Sequence, residues 1–145
     1  MIIIGCDHGG YEMKNFLKEY FLSKGEEVID VGAKNFDAED DFSTYAKLVA
    51  ENVLKNGCRG IAVCGSGVGM CIALNRFKGI YAVNGFDAEK VALARQHNNV
   101  NVLALGGRMI SFDEAKDMVD AFLKTDFLAG KYQRRIDDID TFGWN

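Results

Sequence analysis

Short apolar runs alternate with segments of helical periodicity along the whole chain. The runs are nearly continuous rather than alternating, which is typical of strands in a sheet covered on both faces. They predict five strands, at Ile2–Cys6, Val28–Val31, Gly60–Cys64, Ile80–Val83 and Val102–Leu105.

The segments between these runs repeat apolar residues every three or four positions and predict helices. Ser111, followed three residues later by Glu114, has the spacing of a capping box, and Asp87 is placed to cap another helix. The predicted helices end before Gly25, cover Ala46–Leu54, run from Gly69 through Asn75, from Asp87 to about Gln96, from Ser111 to about Lys124, and from about Gly130 to Ile139.

Strands that alternate with helices indicate parallel pairing and right-handed crossovers. We therefore expect residues 1–145 to form one domain, a three-layer α/β/α Rossmann-like fold. Its five-stranded parallel sheet is expected in the order 2-1-3-4-5, with a C-terminal helical extension. Such an order opens a crevice between the carboxyl ends of strands one and three. Two unusual turns, Cys6–Gly10 and Cys64–Gly69, fall there and mark the expected active site.

Composition excludes several classes of function. The net charge is −4 with no basic face, which disfavours nucleic acid binding, and no apolar run approaches 18 residues, so no membrane span is expected. The first strand follows Met1 directly, without the basic segment of a signal peptide, so we expect a cytoplasmic protein. The acidic cluster Asp37–Asp41 is expected to be a solvated loop.

The cysteines and histidines are too scattered to predict a metal site. The chain has 4 Cys, no CxxC pair and 2 His, so we expect reduced thiols, no metal and no cofactor.

Glycine occupies every second position of Gly65–Gly69, at the start of a helix. Glycines let the backbone approach a ligand, and helix amino-terminal amides favour anions. A tight strand-to-helix turn is the alternative interpretation. The spacing matches neither GxxxxGK[ST] nor the dinucleotide fingerprint GxGxxG.

Cys64 immediately precedes this loop. Cysteines at helix amino termini ionise more readily, so Cys64 is a candidate base or nucleophile, although a small buried core cysteine is the alternative. A cysteine phosphatase would need arginine six residues later, where Met70 stands.

Polar residues elsewhere complete a possible site. A cysteine base, a histidine, an amide-lined anion site and a basic cluster suit proton transfer between adjacent carbons of a phosphorylated sugar through an enediol. That reaction needs neither a redox cofactor nor a metal. The candidate polar residues are Asp7, His8, His97, Asn98, Arg108 and the basic cluster Lys131, Arg134 and Arg135.

The sequence resembles the type B ribose-5-phosphate isomerase family, which includes allose- and galactose-6-phosphate isomerases. The resemblance covers nearly the whole chain and rests on three stretches, Gly5–Gly10, Cys64–Met70 and Arg95–Arg108. It implies that Cys64 moves the proton between C1 and C2 and that His97 assists ring opening near Asp7. It further implies a catalytic role for Ser66 and enediolate or sugar contacts from Gly65, Gly67, Val68, Gly69 and Asn98. Phosphate contacts are implied for His8, Lys131 and Arg135, and Arg108 matches another position of the site motif.

The resemblance also implies a homodimer or a dimer of dimers whose sites are completed across the interface. The chain departs from the family pattern at Tyr81, where arginine is usual, at Lys131–Tyr132, where Arg-His is usual, and at Asp41–Ser43, where Asp-Tyr-Pro is usual. We expect a ribose 5-phosphate isomerase. A hexose 6-phosphate isomerase, a non-catalytic sugar-phosphate sensor and a nucleotide-binding protein are the alternatives.

Overall fold

Five parallel strands form one sheet at the centre of the molecule. The structure is a computed structural model that describes residues 1–143. Every pairing in the sheet is parallel, as predicted. The strands are β1 (Ile2–Cys6), β2 (Val28–Asp30), β3 (Arg59–Cys64), β4 (Ala82–Asn84) and β5 (Val102–Gly106).

A helix follows every strand. The first is preceded by a single 3-10 turn, His8–Gly10, which Asp7 caps. Asp87 and Ser111 cap their helices as predicted, and the capping box between Ser111 and Glu114 is complete. The helices are α1 (Tyr11–Ser23), α2 (Phe42–Asn56), α3 (Val68–Leu74), α4 (Ala88–Asn98), α5 (Phe112–Lys124) and α6 (Lys131–Ile139).

The lateral order of the strands is β2-β1-β3-β5-β4, so the predicted order 2-1-3-4-5 is wrong for the last two strands. All five residues of β5 are buried, whereas the three residues of β4 are only half-buried. A strand that is buried along its length needs a neighbour on each side, which gives β5 the inner position and leaves β4 at the edge. The turning point between β1 and β3, where the crevice was predicted, is unchanged.

Right-handed crossovers explain how the helices are divided between the two faces. The connections through α2 and α3 step toward β4, so both helices lie on one face, where Val49 and Met70 belong to one apolar cluster. The connections through α1 and α4 step the other way and place these helices on the opposite face. There Leu17 and Val91 share the second cluster with Phe122 of α5.

The helical extension α6 packs against α4. Its buried residue Ile136 lies beside Ala94 and Asn98 of α4 and beside Tyr81 before β4. Within residues 1–143, no helix combines the length and the apolar character needed to cross a bilayer.

Candidate active site

Three loops pack against one another where β1, β3 and β5 end. A Cβ atom on Gly9 would lie 2.6 Å from the backbone nitrogen of Gly65, and one on Gly107 would lie 2.8 Å from the carbonyl oxygen of Gly9. Only glycine fits at such distances. The glycines therefore bring the ends of three strands into one surface, at the edge of the sheet where the crevice was predicted.

Cys64 is the last residue of β3 and is 4% exposed. Its Sγ atom accepts a hydrogen bond from the N–H of Gly67 at 3.2 Å. Gly67 adopts a left-handed conformation, with φ of 81°, and ends the loop at the start of α3. The loop thus holds the thiol beside amides of its own backbone.

The rest of the loop is polar and partly open. The hydroxyl of Ser66 is close to the N–H of Val68, which donates to it at 3.3 Å, and Ser66 itself is exposed. The first N–H groups of α3, including that of Gly69, have no partners within the helix. These donors can stabilise a developing oxyanion.

Asp7, His8 and Asp40 form a cluster beside this loop. The carboxylate of Asp7 accepts the N–H of Gly9 at 2.9 Å, and burial raises the pKa of Asp7 against the opposing effect of this hydrogen bond. Oδ1 of Asp40 accepts both the backbone N–H of His8 at 3.0 Å and its ring Nδ1 at 2.7 Å. The hydrogen bond to Asp40 raises the pKa of His8.

Asp7, His8 and Asp40 are also the one group of three potential metal ligands within 4.8 Å that residues 1–143 contain. Because His8 and Asp40 bind each other through the atoms that would hold a cation, the cluster has the arrangement of a hydrogen-bonded network.

Arg108 faces His8 across a pocket of about 440 Å³. The backbone N–H of Arg108 donates to the carbonyl oxygen of Gly65 at 3.0 Å, which ties the third loop to the second. Among the described residues, no carboxylate pairs with the Arg108 guanidinium. His8 and Arg108 are therefore two groups on one pocket that can carry positive charge, an arrangement that suits an anion such as phosphate.

The remaining predicted residues form a second group, around the end of α4. The ring of His97 stacks on Tyr132 of α6, with centroids 4.5 Å apart and planes inclined by 14°. Lys131 and Arg135 lie over the same tyrosine ring, at 5.3 and 5.6 Å from its centroid. Asn98 is the next residue of α4 after His97 and faces α6.

The two groups lie at opposite ends of the strands, which are called here the carboxyl edge and the amino edge of the sheet. Helix α4 ends just before β5 begins, and Asn101 pairs with Gly60 at the amino end of β3. Between Val102 and Gly106 the strand covers roughly 13 Å. Within one chain, His97 therefore does not approach Asp7, so a single chain does not bring together the two residues expected at ring opening.

Asp40 and Tyr132 are the site neighbours that sequence reasoning missed. The prediction of a solvated loop at Asp37–Asp41 is wrong for Asp40, whose side chain is 8% exposed because it is turned toward His8. No sequence signal separates Asp40 from its acidic neighbours. For Tyr132, the usable signal was a tyrosine at a position where histidine is usual in the family pattern.

Comparisons with known proteins establish the family of the chain. The family model described as Ribose/Galactose Isomerase matches residues 2–139. The chain belongs to the ribose/galactose isomerase family. A probable ribose-5-phosphate isomerase B of Mycoplasma genitalium is 44% identical over 140 residues, which are 95% of this chain and 92% of the relative. The ribose-5-phosphate isomerase B of Escherichia coli is 40% identical over 139 residues, 95% of this chain and 93% of the relative.

Solved structures of the ribose/galactose isomerase family have the same fold. Ribose-5-phosphate isomerase B of Mycoplasma genitalium, solved with bound ribulose-5-phosphate, superposes with a TM-score of 0.93 at 43% identity and covers 97% of this chain and 94% of its own. The Thermotoga maritima ribose 5-phosphate isomerase superposes with a TM-score of 0.93 at 43% identity and covers 97% of both chains. The resemblance inferred from the three sequence stretches is confirmed.

One departure of this ribose/galactose isomerase from the family pattern has a clear structural role. Tyr81 stands where arginine is usual, and its hydroxyl donates to the carboxylate of Asp140, just after α6. Burial, together with Asp140, raises the pKa of Tyr81. Tyr81 therefore attaches the end of α6 to the edge of the sheet.

Proposed function

We propose that this enzyme interconverts ribose 5-phosphate and ribulose 5-phosphate, with Cys64 as the base. It is a sugar-phosphate isomerase by family, and the relative solved with ribulose-5-phosphate supports a pentose phosphate as substrate. The observation that carries the proposal is the packing of three loops that gathers Cys64, His8 and Arg108 at one edge of the sheet.

The reaction requires one proton to move between neighbouring carbons. The thiolate of Cys64 takes the proton from C2 of the open-chain aldose, the C2–H electron pair forms the C1–C2 double bond, and the carbonyl π electrons move to O1, which becomes an enediolate oxygen. The proton on O2 then passes to O1, the electron pair left on O2 forms the C2 carbonyl, and the electrons of the C1–C2 double bond take the proton held on sulfur to C1, which restores the thiolate. The amides of Gly65–Gly69 and the hydroxyl of Ser66 stabilise the oxygen that carries charge between these steps.

The phosphate is bound by cations of two chains in this proposal. His8 and Arg108 lie with Cys64 at the carboxyl edge of the sheet. Lys131 and Arg135 lie with His97 at the amino edge. A second copy of the chain would bring its amino edge to the Cys64 loop. It would supply His97 for ring opening and Asn98 for the sugar. Exposed apolar side chains near the loop, among them Val68 and Phe86, support contact with a second copy.

The test of Cys64 is a coupled assay of ketose formation from ribose 5-phosphate with Cys64→Ala. We expect kcat to fall about 100- to 10,000-fold, because loss of a general base typically costs that much. Deuterium from D₂O should enter the product made by the unaltered enzyme and should be undetectable with the variant.

The matched control is Cys71→Ala, which removes a half-buried thiol seven residues further on. It should keep most of its kcat. If Cys64→Ala also retains most of its kcat, another group carries the proton.

The sugar is tested by assaying ribose 5-phosphate beside allose 6-phosphate and galactose 6-phosphate. We expect the highest kcat/KM for ribose 5-phosphate. A higher value for either hexose would assign the enzyme to hexose phosphates, and binding of all three sugars without turnover would indicate a sensor.

A further inference from the structure

A single carboxylate oxygen holds His8 at two points. Oδ1 of Asp40 accepts the backbone N–H of His8 at 3.0 Å and its ring Nδ1 at 2.7 Å, although the two residues are 32 positions apart. The Asp40 side chain is 8% exposed, and its other oxygen, Oδ2, is buried with no partner in the described chain. Burial of a carboxylate with one unpartnered oxygen is costly unless the group that it faces carries a positive charge.

We propose that Asp40 is a positioning residue that fixes the ring of His8 so that Nε2–H is presented to the phosphate of the substrate. This inference rests on the proposed function, in which His8 faces phosphate. Asp40 itself touches no substrate atom in this arrangement, and it acts only through His8.

The donor requirements of phosphate explain why the carboxylate matters. Phosphate oxygens only accept hydrogen bonds above pH 7, and a neutral imidazole carries one N–H. With Nδ1–H directed at Asp40, a neutral ring would present a lone pair at Nε2 and repel the phosphate. Only the doubly protonated ring donates to Asp40 and to phosphate at the same time.

The charged groups around His8 determine up to what pH its ring stays doubly protonated. Asp40 and Asp7 favour the protonated ring, and the hydrogen bond to Asp40 is the main reason that the pKa of His8 is raised, while Arg108 opposes it. Exposed Glu12 and the phenol of Tyr11 also line the pocket.

Phe36 is the apolar neighbour of the His8 ring. It meets the ring edge-on, with centroids 6.4 Å apart. Because Asp40 contributes most to the raised pKa of His8, removal of its charge should lower the pH at which His8 loses its proton.

The test uses Asp40→Asn, which keeps the size of the side chain and an acceptor oxygen but removes the charge. The chain has 2 His, so the ring protons of His8 are readily followed by NMR, and His97→Asn assigns them. We expect the titration midpoint of His8 to fall in Asp40→Asn. The KM for ribose 5-phosphate should rise about tenfold at pH 8 and little at pH 6, while kcat at saturation stays near that of the unaltered enzyme.

The matched control is Glu39→Gln, which removes the same charge from the adjacent exposed residue. Its His8 midpoint and KM profile should remain near those of the unaltered protein. If Asp40→Asn is too unstable to measure, Asp40→Ser removes the same charge and gives the same two readouts.

Inorganic phosphate separates failure of this inference from failure of the proposed function. Its affinity should also fall at pH 8 in Asp40→Asn, whether or not the unaltered protein turns over ribose 5-phosphate. An unchanged His8 midpoint would overturn the proposal. A lowered midpoint with unchanged phosphate affinity would also overturn it, because Asp40 would then only attach its loop to the 3-10 turn.

Discussion

His97 stacks on Tyr132, over whose ring Lys131 and Arg135 also lie, and it is far from the thiol of its own chain. If His97 assists ring opening, His97→Asn should slow ribose 5-phosphate, which reaches the enzyme mainly as a ring, at least about 100-fold in kcat/KM. An aldotetrose 4-phosphate cannot cyclise, because phosphate blocks its C4 oxygen, and it should be slowed far less.

Tyr132→Phe is the control for this comparison. It keeps the stacked ring and removes only the hydroxyl, so both sugars should react near the rate of the unaltered enzyme. Equal losses on the two sugars with His97→Asn would show that His97 only supports the asparagine-rich turn after α4.

At the scale of single residues, the sequence was informative where the residue type is unusual for its position. Cys64 beside three glycines, and His8 after Asp7, could be selected as candidates because turns rarely need those residues. Asp40 could not be, because an aspartate in an acidic loop is equally suited to water, and only the fold brings it within 2.7 Å of His8.

Among the elements, the turn between β3 and α3 depends on the conformation of one glycine. A Cβ on Gly67 would lie 2.3 Å from Oδ1 of Asn84, and the backbone there is left-handed at φ of 81°. Left-handed backbone alone costs an L-residue roughly 1–2 kcal/mol. Gly67→Ala should therefore lower the free energy of unfolding by at least about 2 kcal/mol in urea denaturation.

Gly65→Ala is the matched substitution in the same loop. The nearest atoms to its Cβ belong to Arg108 and are 3.7 and 3.8 Å away, which is ordinary contact. Its unfolding free energy should stay within about 0.5 kcal/mol of the unaltered protein. Similar losses for the two variants would mean that the loop can rearrange and that its backbone does not depend on the conformation at Gly67.

The existence and type of the elements followed from periodicity, but the lateral order of β4 and β5 did not. Periodicity reports which residues are buried, and it carries no direct information about which strand is the neighbour. The length and complete burial of β5, compared with three half-buried residues in β4, are the physical reason for the observed order. The predicted position of the crevice is unaffected by this error, because it depends only on β1 and β3.

At the scale of the whole molecule, one chain carries two separate groups of candidate site residues. Cys64, His8 and Arg108 belong to the carboxyl edge of the sheet, and His97 and Arg135 to the amino edge. The predicted alternation of parallel strands and helices was a usable signal for this separation, because turns that follow strands and turns that precede strands lie at opposite ends of a parallel sheet. The proposed reaction therefore requires a site that contains residues of two copies.

Subunit mixing tests this requirement most directly. Homodimers of Cys64→Ala and of Arg135→Ala should each be nearly inactive at substrate concentrations below KM, since a charge-assisted contact to phosphate contributes about 1.5–3 kcal/mol. In a mixed dimer, one site carries both changes and the other carries neither. Co-refolding the two variants should therefore restore activity approaching half that of the unaltered dimer for each mixed dimer. If mixed dimers form and activity stays at the level of the parents, Arg135 serves the site of its own chain and the shared site is contradicted.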